Sequence, residues 1–162
     1  MSGTRPALPD ATTPEFQAEA LAEANAYRAK HHAPPLVLDA ELNAYALERA
    51  LSRSEQERLA AGHTGLRAQT GENIFWGGDA EALPGSRAVK KWYDEISAYD
   101  FAAAQFSSGA GHFTQLVWKA STKVGIARVA GQPGEYFETY IVFVFEERGN
   151  MKGAFADNVL PA

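Results

Sequence analysis

The strongest constraint on the fold is a run of six apolar residues, YIVFVF, from Tyr140 to Phe145. A strand with one face in water alternates apolar and polar side chains, whereas this run has no polar position. It therefore predicts a central strand that is covered on both faces. The segments KVGIARVA and EYFETYIVFVFEE flank the turn sequence GQPG, and we interpret them as an antiparallel hairpin.

Helices are expected to supply the two covering layers. Apolar residues at helical spacing follow three N-cap candidates, Thr13, Asp39 and Ser86. Gly62 is a plausible end of the second helix, and a shorter helix is predicted to begin near His112. The segment TGENIFWGG indicates a further strand. Together these elements predict the α/β class, as a three-layer α/β/α sandwich with a mostly antiparallel central sheet.

The length and the N-terminal composition predict the domain organisation. A chain of 162 residues is long enough for one domain with a sizeable core. The first residues are rich in Pro, Thr and Ala, which is typical of a tail. We predict a flexible N-terminal arm over 1–13 and a single domain over 14–162, with no internal repeat.

Composition excludes several functional classes. The absence of cysteine rules out disulfides, a thiolate nucleophile and a sulfur-based zinc site. The net charge of −5 predicts no nucleic-acid partner. No segment approaches the roughly 18 apolar residues of a membrane span, and Ser2 replaces the glycine that myristoylation requires. We therefore expect no stable membrane anchor, and a cytoplasmic protein, or a secreted one if a leader has been removed. The sequence does not decide between a monomer and a homodimer.

The histidines fall into two groups. His31 and His32 lie at a predicted helix end beside prolines, where a cation would complement the helix dipole, so we interpret them as structural. His63 and His112 each follow a glycine, and glycine allows the backbone to approach a neighbouring group closely. This second pair is the better candidate for a functional site.

Two glutamates occur within or beside apolar sequence. Glu72 lies in TGEN, and Glu95 lies beside the apolar stripe of the third predicted helix. A carboxylate in such a place needs a partner, and His63 and His112 could supply it in one shared pocket. Three uses of such a pocket stay open at this point: a divalent-metal site, an acid–base pair without metal, and a buried polar network that only joins the layers.

Several segments in combination resemble one protein family. GHFTQLVWKAST resembles the signature of the CAP superfamily, which comprises cysteine-rich secretory proteins, antigen 5 and pathogenesis-related 1 proteins. YRAKHHAPPLVLDAELNAYA, TGENIFWG and AVKKWYDEISAYDF are similar to its first helices, its GEN segment and its W-Y-x-E helix. FVFEERGNMKGAFADNVLPA is similar to the C-terminal end of the cysteine-free, Golgi-associated branch. The resemblance covers nearly the whole chain from Phe16.

The resemblance implies both a fold and a site. The family fold is an α/β/α sandwich, and its cavity tetrad of two His and two Glu falls on His63, Glu72, Glu95 and His112. In relatives the two histidines can hold zinc, so His63 and His112 are the candidate metal ligands and zinc is the candidate cofactor. Asn73 is expected to fix a turn. Because imidazole must be neutral to bind a metal, the affinity should fall below about pH 6.5.

Two classes of function follow from the resemblance. The first is a binding module for a lipid, a sterol or another small molecule, with the tetrad as a metal-binding or structural centre. The alternative is an enzyme in which the four tetrad residues are catalytic. In that case Glu72 or Glu95 would act as general base on a small molecule or peptide, with or without a metal.

Overall fold

The computed structural model of the chain describes residues 5–56, 63 and 65–162. The helices are α1 (Pro14–Lys30), α2 (Ala40–Glu55), α3 (Gly85–Tyr93), α4 (Gly111–Leu116) and α5 (Phe155–Asn158). A 3₁₀ turn (Asp94–Ala98) continues directly from α3. The strands are β1 (Val37–Leu38), β2 (Thr70–Asp79), β3 (Lys123–Gly131) and β4 (Phe137–Glu146).

The sheet has the strand order β1-β3-β4-β2. Strand β4 pairs antiparallel with β3 and with β2, along a register that runs from Thr70↔Glu146 to Asp79↔Phe137 in the β2 pair. Only the short strand β1 runs parallel to its neighbour. The sheet is therefore mixed but mostly antiparallel, and the predicted hairpin of β3 and β4 is confirmed.

The apolar run of β4 is buried on both faces of the sheet. Alternate side chains enter two separate apolar clusters, one containing Trp92 of α3 and the other containing Leu42 of α2. The first cluster takes Ile141, Phe143 and Phe145, and the second takes Tyr140, Val142 and Val144. Helix α2 thus covers one face, and α1, α3 and α4 cover the other. This arrangement confirms the predicted three-layer sandwich.

The predicted helix caps are confirmed at two of three sites. The side-chain oxygens of Thr13 and Asp39 each accept a first-turn backbone N–H at 3.0 Å. The N-cap prediction for Ser86 is wrong, because α3 begins one residue earlier, at Gly85. Glu19 of α1 caps this helix instead, accepting the N–H groups of Gly85 and Ser86 at 2.8 Å each. The predicted end of the second helix, Gly62, lies outside the described residues.

The described part of the predicted N-terminal arm packs against the sheet. Arg5 makes a two-point ion pair with Glu138, at 2.9 and 2.8 Å. Leu8 is buried, and Asp10 forms an antiparallel bridge with Val129. This part of the chain therefore packs against the rest of the domain. The boundary between arm and domain at residue 13 stays a prediction.

His31 is buried and does not behave as a helix-capping cation. Its Nδ1 donates to the carbonyl of Leu160 at 2.7 Å, so its Nε2 accepts from the Tyr93 hydroxyl at 2.8 Å. Burial lowers the pKa of this imidazole. His31 is therefore structural, as predicted, but as a neutral link between α1, α3 and the C-terminal segment. The helix-dipole explanation is wrong for this residue.

Gly125 marks the closest approach of α2 to the sheet. A Cβ at this position of β3 would overlap the backbone carbonyl of Leu42. Beside it, the Asn43 side chain accepts the N–H of Ile126 at 2.9 Å. Helix α2 therefore lies at a fixed distance and register on the sheet, which determines where its polar side chains reach.

We predict that Gly125→Ala destabilises the protein by about 1–3 kcal/mol or more, because backbone atoms cannot move aside as a flexible side chain can. Urea unfolding monitored by circular dichroism measures the change. Gly134→Ala in the hairpin turn is the matched control, since a Cβ there has no atom within 4 Å. Equal losses in the two variants would contradict this account of the α2–β3 contact.

Candidate functional site

Three of the four predicted tetrad residues line one cleft of about 710 Å³. The lining comes from three parts of the chain, between positions 63 and 73, 106 and 115, and 148 and 150. His63, Glu72 and His112 belong to this lining. Glu95 contacts His112 from outside it. The tetrad residues therefore meet as two His–Glu pairs.

The first pair joins His63 to Glu72 of β2. The Glu72 side chain is fully buried, and its Oε1 lies 2.8 Å from His63 Nδ1. Because a carboxylate only accepts, Nδ1 carries the hydrogen in this bond. Among the described residues no hydrogen-bond partner is found for Nε2 of His63, and half of the side chain is exposed. That nitrogen is the one left for a ligand.

Glu72 also forms a buried ion pair that sequence reasoning missed. Arg49 of α2 donates from Nε to Oε2 at 2.6 Å and from Nη2 to Oε1 at 2.7 Å. Arg53, one turn further along the helix, places Nη2 at 3.9 Å from Oε1. Both arginines lie on the buried face of α2. Two arginines four residues apart on an otherwise apolar face could have signalled a buried acid.

The surroundings of Glu72 keep it ionised. Burial acts to raise its pKa, but hydrogen bonds from Arg49 and His63 and the charges of Arg49 and Arg53 outweigh this. The pKa of Glu72 therefore lies below its ordinary value of 4.5. Burial and the neighbouring charge of Arg49 lower the pKa of Arg53. A carboxylate held in this way is a weak base.

The second pair joins His112 to Glu95 of the 3₁₀ turn. Oε2 of Glu95 accepts from His112 Nδ1 at 2.7 Å, and Oε1 accepts the N–H groups of His112 and Phe113 at 2.9 and 3.3 Å. The carboxylate thus caps α4 and orients the imidazole on its first turn. Asn73 donates to the His112 carbonyl at 3.0 Å from within β2, so its predicted role in a turn is wrong. The ring of Trp92 stacks on His112.

Gln115 forms part of the floor of the cleft. Its Oε1 accepts the N–H of Gly149 at 2.9 Å, and its Nε2 donates to Ser121 at 3.1 Å. A Cβ on Gly71 would overlap the Gln115 side chain. Any larger residue at Gly71 would displace the Gln115 side chain from its hydrogen bonds, and this close approach also joins β2 to α4.

The rim of the cleft combines apolar and cationic groups. Phe106 is 55% exposed, and Leu66 is half-buried on the lining. Arg148 is exposed, and Arg67 stacks its guanidinium 3.8 Å above the ring of Tyr45. The cleft can therefore contact a ligand through both apolar and polar groups.

Comparison with known proteins decides the family. The family model described as "CAP: Cysteine-rich secretory protein family" matches residues 21–145. The chain belongs to the CAP family. The resemblance inferred from the sequence motifs is thereby confirmed.

Two relatives illustrate the similarity of this CAP domain to characterised sequences. It is 35% identical over 149 residues to human Golgi-associated plant pathogenesis-related protein 1, covering 91% of this chain and 94% of that protein. It is 34% identical over 131 residues to pathogenesis-related protein PRMS of Zea mays, covering 80% of this chain and 75% of that protein.

Solved structures share the fold. BmVAL-1 superposes with a TM-score of 0.71 at 19% identity, covering 93% of this chain and 82% of that one. The crystal structure of NaASP2 with Zn2+ superposes with a TM-score of 0.62 at 21% identity, covering 87% and 84%. At these identities the likeness establishes the fold alone.

The described part of this CAP domain contains neither a cluster of metal-binding side chains nor a membrane-spanning helix. Within residues 5–56, 63 and 65–162, no group of three or more His, Asp or Glu side chains is arranged to hold a metal ion. In the same residues no helix is both long and apolar enough to cross a membrane.

We predict that Glu72 stabilises this CAP domain in a pH-dependent way. Its folded-state pKa is depressed, so its contribution is complete above the ordinary value of 4.5 and is lost as the pH falls below it. The difference in free energy of unfolding between wild type and Glu72→Gln should therefore shrink on acidification from pH 6 towards about pH 3. Urea unfolding across this range measures it.

Glu41→Gln is the control, since Glu41 is an exposed carboxylate of α2, the helix that carries Arg49. The free energy of unfolding of this control variant should differ little from that of wild type at each pH. A Glu72→Gln difference that is constant between pH 6 and about pH 3 would contradict the sign assigned to Glu72.

Proposed function

We propose that this CAP domain binds a lipid, a sterol or another small molecule in the cleft, beside a divalent-metal centre formed by His63 and His112. Zinc is the candidate metal. The observation that carries the proposal is the shared arrangement of the two histidines. Each histidine donates a hydrogen bond from Nδ1 to a glutamate carboxylate, and both histidines line one cleft.

Carboxylate-bound imidazoles are suited to metal binding. A histidine ligand commonly donates its other ring N–H to a carboxylate, which fixes the tautomer and orients the ring. Glu72 and Glu95 provide this contact to His63 and His112 at 2.8 and 2.7 Å. NaASP2, a protein with the same fold, has a crystal structure with Zn2+. These points support zinc as the metal to test.

The donor set fits an open metal site rather than a closed structural one. Both Glu72 oxygens accept from Arg49, and both Glu95 oxygens accept from His112. Two imidazoles would therefore hold the metal, whereas structural zinc takes four protein ligands. A zinc ion with open positions supplies Lewis-acid polarisation of a ligand oxygen. Within that site, the two glutamates of this chain orient the imidazoles.

The size and lining of the cleft support a small-molecule ligand. Its volume of about 710 Å³ lies within the roughly 300–1,000 Å³ of typical ligand pockets. Phe106 offers an exposed apolar surface at the rim, while His63 and His112 lie on the same lining. An amphipathic molecule could contact both. The identity of that molecule stays a prediction, as do a homodimer and the cellular compartment.

Acid–base catalysis has weaker support as the alternative. Arg49 holds both oxygens of Glu72 and helps to lower its pKa, so this carboxylate is poorly suited to take a proton. Glu95 already accepts three hydrogen bonds from His112 and Phe113. The catalytic role of the tetrad residues stays a prediction.

We predict that the protein binds one zinc ion at neutral pH and that His63→Ala and His112→Ala each weaken binding about tenfold or more. Isothermal titration calorimetry with zinc measures the affinity. His32→Asn is the control, because His32 is exposed and asparagine tolerates its positive φ of 61°. Affinity should also fall on acidification, because imidazole must be neutral to bind a metal. Unchanged affinity in both alanine variants would exclude this site.

We predict that Phe106→Ala weakens binding of a fluorescent fatty acid or sterol by about tenfold, through loss of apolar contact at the rim. Fluorescence titration measures the affinity for each probe. Val37→Ala is the matched control, since Val37 is also exposed, at 63%, and is not part of the cleft lining. Loss of binding in both variants, or in neither, would show that the cleft does not bind these probes.

A further inference from the structure

We propose that Arg49 limits the affinity of the cleft for divalent cations by cancelling the charge of Glu72 beside His63. This inference rests on the proposed metal centre at His63 and His112. Arg49 thereby acts through Glu72 rather than by contacting the metal.

Arg49 and Glu72 form a buried, two-point ion pair. The guanidinium meets the carboxylate at two points, 2.6 and 2.7 Å, and the two side chains are 8% and 0% exposed. Charge-assisted, two-point bonds of this kind are among the strongest polar contacts in proteins. Glu72 therefore stays bound to Arg49, and its oxygens are not free to turn towards a cation in the cleft.

The ion pair determines the charge that a cation in the cleft would meet beside His63. The pair of Arg49 and Glu72 is neutral, and Arg53 adds a further positive charge at 3.9 Å from the same carboxylate. The carboxylate of Glu72 therefore offers a cation beside His63 no net negative charge. Charges in a partly buried site are screened less than in bulk water, so the guanidinium of Arg49 opposes binding of a divalent cation there.

The other half of the proposed centre, formed by His112 and Glu95, differs in charge. Glu95 is bound by backbone N–H groups and by the imidazole of His112, and among the described residues no arginine forms an ion pair with it. Its side chain is 25% exposed. The two halves thus use the same His–Glu contact but differ in charge. The difference points to Arg49, rather than to either glutamate, as the group that lowers cation affinity.

A charge series at the pair tests the proposal. Zinc affinity is measured by calorimetry at pH 7 and low ionic strength for four proteins. Relative to a neutral pair in wild type, Arg49→Met leaves one negative charge, Glu72→Gln leaves one positive charge, and Arg49→Met/Glu72→Gln is neutral again. We expect Arg49→Met to bind zinc at least about tenfold more tightly than wild type, and Glu72→Gln to bind it about tenfold more weakly. The double variant should bind zinc with an affinity similar to that of wild type.

A purely orienting role of Arg49 predicts the opposite sign. If Arg49 only helped Glu72 to orient His63, its loss would weaken metal binding by about 10–100-fold. Equal or weaker zinc binding by folded Arg49→Met would therefore overturn the proposal. Arg49→Lys keeps the charge without the two-point contact and should bind zinc no more tightly than wild type.

Two controls complete the design. Arg128→Met removes an arginine that stacks on Phe16 and lies outside the cleft lining, so zinc affinity should change little. Near-ultraviolet circular dichroism confirms folding. If Arg49→Met does not fold, the comparison of Glu72→Gln with the double variant still decides the proposal, because adding Arg49→Met to Glu72→Gln should restore affinity about tenfold. No restoration would overturn it.

The outcomes also separate this inference from the proposed function. Zinc binding by wild type through His63 and His112, with no gain in Arg49→Met, overturns the role of Arg49 alone. Binding only in Arg49→Met overturns zinc as the native metal and supports the role of Arg49. Absence of binding in every variant overturns both.

Discussion

The buried ion pair of Glu72 and Arg49 connects the layers of the sandwich to the cleft. Glu72 extends from β2, and Arg49 extends from α2. His63, which follows α2 in the sequence, contacts the same carboxylate. Breaking one partner of such a pair leaves a charge without compensation in a region that excludes water. The pair therefore couples the position of α2 on the sheet to the orientation of His63. Gly125, which lets α2 approach β3 closely, contributes to the same arrangement.

The two His–Glu contacts of this CAP domain are similar in length but differ in what surrounds them. Glu72 is enclosed and paired with a guanidinium, whereas Glu95 is partly exposed and binds the first backbone N–H groups of α4. One glutamate thus belongs to the core that joins two layers, and the other belongs to a helix terminus. Removing either glutamate would alter more than the cleft, so we expect a variant at Glu72 or Glu95 to change stability as well as the lining of the cleft.

Local sequence patterns predicted a large part of this molecule. The caps at Thr13 and Asp39 need only a side chain three residues from its partner N–H, and the hairpin needs only a turn between two β-rich segments. The sequence patterns gave wrong predictions where a residue distant in the chain supplied the contact. Glu19, rather than Ser86, caps α3, and His31 is neutral because the C-terminal segment and α3 bury it.

The sequence by itself determined the class of fold, the family and the candidate His and Glu residues. An apolar run needs two covering layers, and the family motifs are contiguous in the chain. Only the tertiary structure decided how the candidates are paired and which of them stay accessible. Arg49 precedes Glu72 by 23 positions and faces it only because α2 packs on the sheet. The energetics of a buried charge depend on which groups surround it in space, and separation along the chain does not specify those groups.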